Sequence, residues 1–205
     1  MEMTRKEHWE NIYSNKKLEE VSWYQPKPEV SLAFISAYSS SKTDAIIDIG
    51  GGDSFLIDYL LKQGYHDLTV LDISEKALQR AQHRLESLRT KVQWLTSDIT
   101  EFNPLQPYQI WHDRAVFHFL TEENEVKKYA LIAAKALAQN SLMIIGTFSD
   151  KGPLKCSGIA IQQYTVATMC QVFQDNFELI DSKEIIHQTP MQTEQQFIFC
   201  VFRKK

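Results

Sequence analysis

The chain has 205 residues and a formal net charge of −4; 43% of its residues are hydrophobic and 23% charged, the make-up of one soluble globular domain with a real core. Its basic stretches are short (Lys16 and Lys17, Lys127 and Lys128, and 203–205) and read as solvated surface, so nucleic acid is not an expected partner. No apolar run approaches a membrane span, the N-terminus lacks the apolar core of a signal peptide, and Cys156, Cys170 and Cys200 form no C-x-x-C pair; neither a zinc ribbon nor a redox pair is suggested, no membrane partner is expected, and a cytoplasmic protein with free thiols fits best.

Trp9, Ile12 and Tyr13, at i, i+3, i+4 spacing, predict a helix over 4–17. Residues 18–27 read as irregular, because Pro26 and Pro28 interrupt any helix. A second helix starts at Pro28, a good first-turn residue, and runs to about Tyr38. After a linker at 39–43 the pattern becomes an alternation of strand and helix. An apolar run at 45–49 ends at glycines, as a buried parallel strand does. A helix over 54–63 carries the stripe Phe55, Tyr59, Leu60 and stops at Gly64. A strand at 68–72 follows, then a helix capped by Ser74 that runs to about Leu88. Strands at 92–95 and 108–113, a helix at 122–138 and a strand at 141–147 continue the series. A helix at 165–175 precedes strands at 177–180 and 196–202. The turn around Pro190 is too short for a helical crossover, so the last two strands are expected to pair antiparallel. These elements predict a single α/β domain, 1–205, with a mainly parallel sheet, helices on both faces and an antiparallel last strand; residues 1–40 form an N-terminal helical lid.

Ligands of such sheets bind at the carboxyl ends of the strands. The first strand ends at Asp48, and Gly50, Gly51 and Gly52 follow at once. Asp72 closes the second strand, where a carboxylate accepts both hydroxyls of a ribose. Asp98, at the end of the third, is placed to meet an adenine edge. The dinucleotide fingerprint G-x-G-x-x-G is broken at Phe55, and no Walker loop is present. The spacing D-x-G-x-G-x-[GS] from Asp48 to Ser54 resembles motif I of the class I methyltransferases that depend on S-adenosylmethionine (SAM). The likeness extends over 44–150 through Asp72, Asp98 and Asp113, and departs at Ser54, where glycine is common.

This resemblance implies a Rossmann-like seven-stranded sheet and SAM as cofactor, with S-adenosylhomocysteine (SAH) as product. It places the backbone of Gly50–Gly52, with Asp48 and Ser54, at the methionine and ribose. It also places Asp72 and Ile73 at the ribose diol, Asp98 and Ile99 around the adenine, and Asp113, Arg114 and Ala115 under the methionine end. The segments His8-Trp9-Glu10-Asn11-Ile12-Tyr13, Val21-Ser22-Trp23-Tyr24-Gln25, Asp113-Arg114-Ala115-Val116-Phe117-His118-Phe119-Leu120 and Gly152-Pro153-Leu154-Lys155-Cys156-Ser157-Gly158 are similar to a bacterial group of small methyltransferases of unassigned substrate. The Trp-x-x-x-Tyr opening is also similar to lysine methyltransferases of the elongation-factor type.

Methyl transfer from a sulfonium is an in-line displacement, so the protein aligns the acceptor and excludes water; a base is needed only for a protonated nucleophile. Aromatic faces attract the cation. Tyr13 and Trp23 are therefore expected at the cofactor and Tyr24 at the acceptor, against the plain alternative that these rings only pack; Trp9 reads as packing. His118 is the candidate base or acceptor ligand, against the alternative of a wall histidine satisfied by hydrogen bonds. Cys156 is expected to line the acceptor side, and Arg114 has the alternative role of pairing with an acidic substrate. His187 carries less weight, and no metal site is expected. The stretch after the fourth strand reads Asp113-Arg114-Ala115-Val116 in place of [DN]-P-P-[YF], and Asn103-Pro104-Leu105-Gln106 precedes that strand, which disfavours methylation of planar amino groups. The function expected is methylation of a small-molecule acceptor by a monomer; a protein lysine as acceptor, or a non-catalytic SAM-binding module, are the alternatives.

Overall fold

The computed structural model describes residues 3–104 and 106–205, so Leu105 of the segment 103–106 lies outside the described residues. Seven strands form one sheet: β1 (Ile46–Ile49), β2 (Leu68–Asp72), β3 (Val92–Thr96), β4 (Tyr108–Arg114), β5 (Leu137–Phe148), β6 (Phe177–Gln188) and β7 (Glu194–Lys204). Their order is β3-β2-β1-β4-β5-β7-β6. The first five are parallel, and β7 runs antiparallel to both neighbours. This is the doubly wound, Rossmann-like arrangement expected, with the chain reversing direction across the sheet between β1 and β4. Ile49 stands opposite both Leu71 and Asp113, so the glycine loop, the end of β2 and the end of β4 share one edge.

Helices α2 (Glu29–Tyr38), α3 (Leu56–Lys62) and α4 (Glu75–Leu85) cover one face, and α5 (Glu123–Ala136) and α6 (Val166–Phe173) the other. Ile35, Leu60 and Ile144 lie in the first core layer; Trp111, Tyr129 and Phe173 lie in the second. Helix α4 shows how the sequence sets these faces. Ser74 accepts a hydrogen bond from the Ala77 amide as N-cap, and Ala77, Leu78, Ala81 and Leu85 bury one stripe. It ends at Leu85 rather than Leu88, because Glu86 turns left-handed (φ 50°) and a 3-10 turn follows.

The last two strands are longer than their apolar runs. In β6 only Phe177 and His187 are buried, and the polar stretch Asp181–Glu184 is carried as a strand by its pairing with β7. A short ribbon, Lys155–Cys156 with Ile159–Ala160, turns through Ser157 and Gly158, both at positive φ. Among the described residues no helix is long and apolar enough to cross a membrane.

Helix α1 (Arg5–Asn15) buries no residue. Polar side chains hold it instead. Glu10 accepts from the amides of Glu75 (2.7 Å) and Lys76 and from the Ser74 hydroxyl, so it covers the N-terminus of α4. Arg5 bridges Asp98 (3.1 Å) and Glu125 (2.6 Å). Arg80 reaches the carbonyls of Tyr13 and Lys16.

Candidate functional site

A cavity opens at the carboxyl edge of the sheet, beneath α1. A second lies beyond the glycine loop toward α2. Tyr13, Trp23, Gly50 and Arg114 line both.

Close backbone approach explains the glycines. Gly50 has φ +62°, and a Cβ there would lie 1.9 Å from Val116 Cγ2. Gly52 has φ +47°, and a Cβ there would come within 3.0 Å of Asp72 Oδ2 and the Tyr13 hydroxyl. The loop's exit is clamped by Arg84 of α4, which donates to the carbonyls of Asp53 and Ser54 (both 2.8 Å), pairs with Asp58 (2.8 Å) and lies over the Phe55 ring.

Asp72 lines the large cavity and is 5% exposed. Its Oδ1 accepts from the Ser74 amide at 2.7 Å, while Oδ2 stands toward Gly52. Burial, opposed by that hydrogen bond and reinforced by the neighbouring carboxylates of Asp53, Asp48 and Glu10, pushes its pKa up to about 7. Asp98 and Ile99 continue the wall, with Ile73 and Ser97. Asp98 is also a cap: its Oδ1 accepts from the amide and hydroxyl of Thr100. The residues fit a purine nucleoside with a free diol: a buried carboxylate at the ribose position, apolar lining from Ile73 and Ile99, and the Gly50 backbone at the cavity wall.

The aromatic opening segments meet over this cavity. Trp9 packs edge-on against Trp23 (5.6 Å) and Phe119 (5.1 Å), and Tyr13 against Trp23 (6.3 Å). Trp9, expected only to pack its helix, lines the cavity as well. Asp48, Gly51 and Ser54 face the second cavity. Tyr24, expected at the acceptor, is there too, against Phe55. Cys156 does line the large cavity, together with Phe148, Phe197 and Gln195.

Two expectations are corrected. Asp113 lines neither cavity: Oδ1 accepts from the amides of Val116 and Phe117, and Oδ2 from the Tyr129 hydroxyl. It is fully buried on the α5 face, shaping the turn after β4, and burial pushes its pKa up to about 6. His118 is not placed to act as a base. It is fully buried behind the wall, stacked on Phe148 at 4.6 Å, and its Nδ1 accepts from the Phe148 amide. That bond assigns the proton to Nε2, which is buried without a partner. Burial and then the charge of Arg114 push its pKa down to about 3. His187 donates from Nε2 to the Ser22 carbonyl (2.7 Å).

Arg114 ends β4 between the two cavities. Its Nη1 donates to the Trp23 carbonyl (3.0 Å) and its guanidinium lies 4.9 Å from the centre of the Phe197 ring. Nε and Nη2 are buried without a partner. Burial pushes its pKa down to about 10.

Sequence reasoning missed the wall formed by Phe148, Gln195 and Phe197, because β7 reaches the site only through its antiparallel pairing with β5. It also missed a buried chain in which His112 bonds Asp48 (2.6 Å) and Ser31 of α2 (2.8 Å), tying the base of the glycine loop to that helix. Among the described residues no group of three or more His, Cys, Asp or Glu side chains would hold a metal.

Residues 46–140 match the family model described as "Methyltransferase domain". The mouse (Mus musculus) "eEF1A lysine and N-terminal methyltransferase" is 28% identical over 122 residues, which is 58% of this chain and 17% of that protein; the chain thus spans about a sixth of such a relative. The fold is shared with a structure from work on converting a disulfide bond into a thioacetal group during echinomycin biosynthesis (TM-score 0.80, 16% identity, 98% of this chain and 93% of that one). It is also shared with the Burkholderia thailandensis 1,6-didemethyltoxoflavin-N1-methyltransferase, which holds its substrate and SAH (TM-score 0.71, 14% identity, 95% and 81%).

Proposed function

We propose that this chain is a class I SAM-dependent methyltransferase that transfers the methyl group of SAM to a small-molecule acceptor; the methyltransferase-domain match over residues 46–140 and the shared fold support this reading. One observation carries the choice of acceptor: the cavity that holds Asp72 and Asp98 continues without a break into a pocket walled by Phe119, Phe148 and Phe197 and roofed by Trp9 and Trp23. Mostly apolar walls with a few polar groups suit a small ligand.

SAM, when bound, supplies a methyl group on a cationic sulfur. Asp72 would accept the ribose hydroxyls, and Ile73 and Ile99 would hold the adenine beside Asp98. The loop from Gly50 to Ser54, with Asp48 behind it, cradles the methionine part. Tyr13 and Trp23 present ring faces and edges to the cation and exclude water. Phe119, Phe148, Phe197 and Cys156 would orient the acceptor for in-line attack on that methyl group. No side chain is required to remove a proton from an acceptor that arrives deprotonated.

A protein lysine is the second reading, favoured by the Trp9-x-x-x-Tyr13 opening and by the name of the mouse relative. Supplying methyl-labelled SAM separately to a metabolite extract and to a protein extract tests the choice. Label is expected in small molecules; label in protein alone overturns the proposal. Calorimetry with SAH tests the cofactor independently, and absence of binding overturns the assignment of Asp72 and the loop.

A further inference from the structure

Asp48 and His112 stand directly opposite each other on β1 and β4, two residues on from the pair Ile46 and Ile110. The period of two puts all four side chains on the face that α2 covers. Three polar groups therefore meet at the end of an apolar row: His112 Nδ1 lies 2.6 Å from Asp48 Oδ1, and His112 Nε2 lies 2.8 Å from the Ser31 hydroxyl. Each of the three residues is no more than 3% exposed. Burying such a set is costly unless its members satisfy one another. An ionised carboxylate only accepts, so His112 donates from Nδ1, and Nε2 then accepts from Ser31.

The chain leaves one oxygen over. Asp48 Oδ2 has no hydrogen-bond partner among the described residues, and it keeps some contact with solvent. Asp48, His112 and Ser31 all line the second cavity, together with Gly50, Gly51 and Ser54. Oδ2 lies close against Gly51, where a Cβ would come within 2.5 Å of it. Arg114 and Asp72 sense the charge of Asp48 from a distance, and neither takes that oxygen by a hydrogen bond. A carboxylate held by one oxygen, with the other facing a cavity, is set to receive a cation.

We propose that His112 is a positioning residue for the cofactor: steadied by Ser31, it holds Asp48 by Oδ1 so that Oδ2 is turned to the ammonium group at the methionine end of SAM. This rests on the cofactor reading above and is independent of the choice of acceptor. Without the imidazole donor the carboxylate is free to rotate, and binding then has to order it. If the chain served only to tie α2 to the sheet, its loss would weaken every ligand of the site alike.

Calorimetry with SAH and with its analogue carrying hydrogen in place of the amino group (deamino-SAH) separates the two. Wild type is expected to bind SAH at least tenfold more tightly than deamino-SAH; equal affinities overturn the proposal. His112→Leu is expected to weaken SAH at least tenfold and to change deamino-SAH less than threefold, which also reports that the variant is folded. Equal weakening of both ligands, or no weakening of SAH, overturns the proposal. In His112→Asn the side-chain amide nitrogen takes the place of Nδ1, and SAH affinity is expected within threefold of wild type; a loss as large as that of the Leu variant overturns the proposal. Should the Leu variant not fold, Ser31→Ala leaves the ring without its second anchor. It is expected to weaken SAH severalfold and to spare deamino-SAH, and an unchanged SAH affinity overturns the proposal. A wild-type protein that binds neither ligand overturns the cofactor reading itself, a separate failure.

Discussion

Asp72 shows how one buried side chain ties stability to ligand binding. With its pKa raised by burial to about 7, the ligand-free protein holds a proton there that the unfolded chain, with an ordinary carboxylate, has already lost. The sign follows: this contribution to stability is fully present below the unfolded pKa and is lost as pH rises through about 7. Asp72→Asn removes the titration, so its Tm relative to wild type is expected to be higher at pH 8 than at pH 5 in the absence of ligand; a pH-independent difference counts against a buried, titrating carboxylate. Binding runs the other way. A carboxylate accepts two hydroxyl donors only when ionised, so SAH affinity is expected to rise from pH 6 to pH 8, and Asp72→Asn to weaken it by more than tenfold and flatten the profile. Calorimetry across that range is the check. Asp113 has a similar pKa and a different part: both its oxygens are engaged, by Val116, Phe117 and Tyr129, so it holds the turn that presents Ala115, itself at φ 70° and on the cavity wall.

Helix α1 roofs the cavity with side chains it does not bury. Its N-terminus is well made: Thr4 and Glu7 form a capping box. Its attachment rests on Glu10, Arg5 and Arg80, partly exposed groups of the sort that contribute about 0–1 kcal/mol each, and on the Trp9–Trp23–Phe119 contacts. An element held this way opens at little cost, which suits a roof that must admit cofactor and acceptor. Glu10→Ala is expected to speed SAH release severalfold, by stopped-flow displacement, while shifting Tm by no more than about 4 °C. Release from wild type is expected to quicken with salt, and to do so less in the variant. An unchanged release rate would mean that α1 does not control access. Helix α4 is the fixed counterpart, since Arg84 locks it to the carbonyls of Asp53 and Ser54.

At the scale of the whole molecule, the sheet divides two tightly packed layers, and the glycines mark where layers and strands come closest. Gly146 of β5 has no room for a methyl group: a Cβ there would lie 2.6 Å from the Phe199 ring of β7. Overpacking of a core by one methyl costs about 1–3 kcal/mol, so Gly146→Ala is expected to lower Tm by about 2–12 °C in a scanning calorimeter. Wild-type stability would argue against this tight β5–β7 pairing.

The sequence by itself determined the alternation of strands and helices, the antiparallel ending, the glycine loop and the acid at the end of β2. These are short-range signals. A helical stripe, an apolar strand run, a cap such as Ser74 or a glycine turn is decided within a few residues, and motif spacing carries Asp72 to the edge where Gly50 lies. Only the tertiary structure decided which groups face the cavity. Strand alternation separates Asp113 from Arg114, but which face meets α5 and which meets Trp23 depends on crossovers and on segments far along the chain; the Arg114–Trp23 hydrogen bond alone spans 91 residues. The same holds for His118, whose burial behind Phe148 is set by β5 and β7.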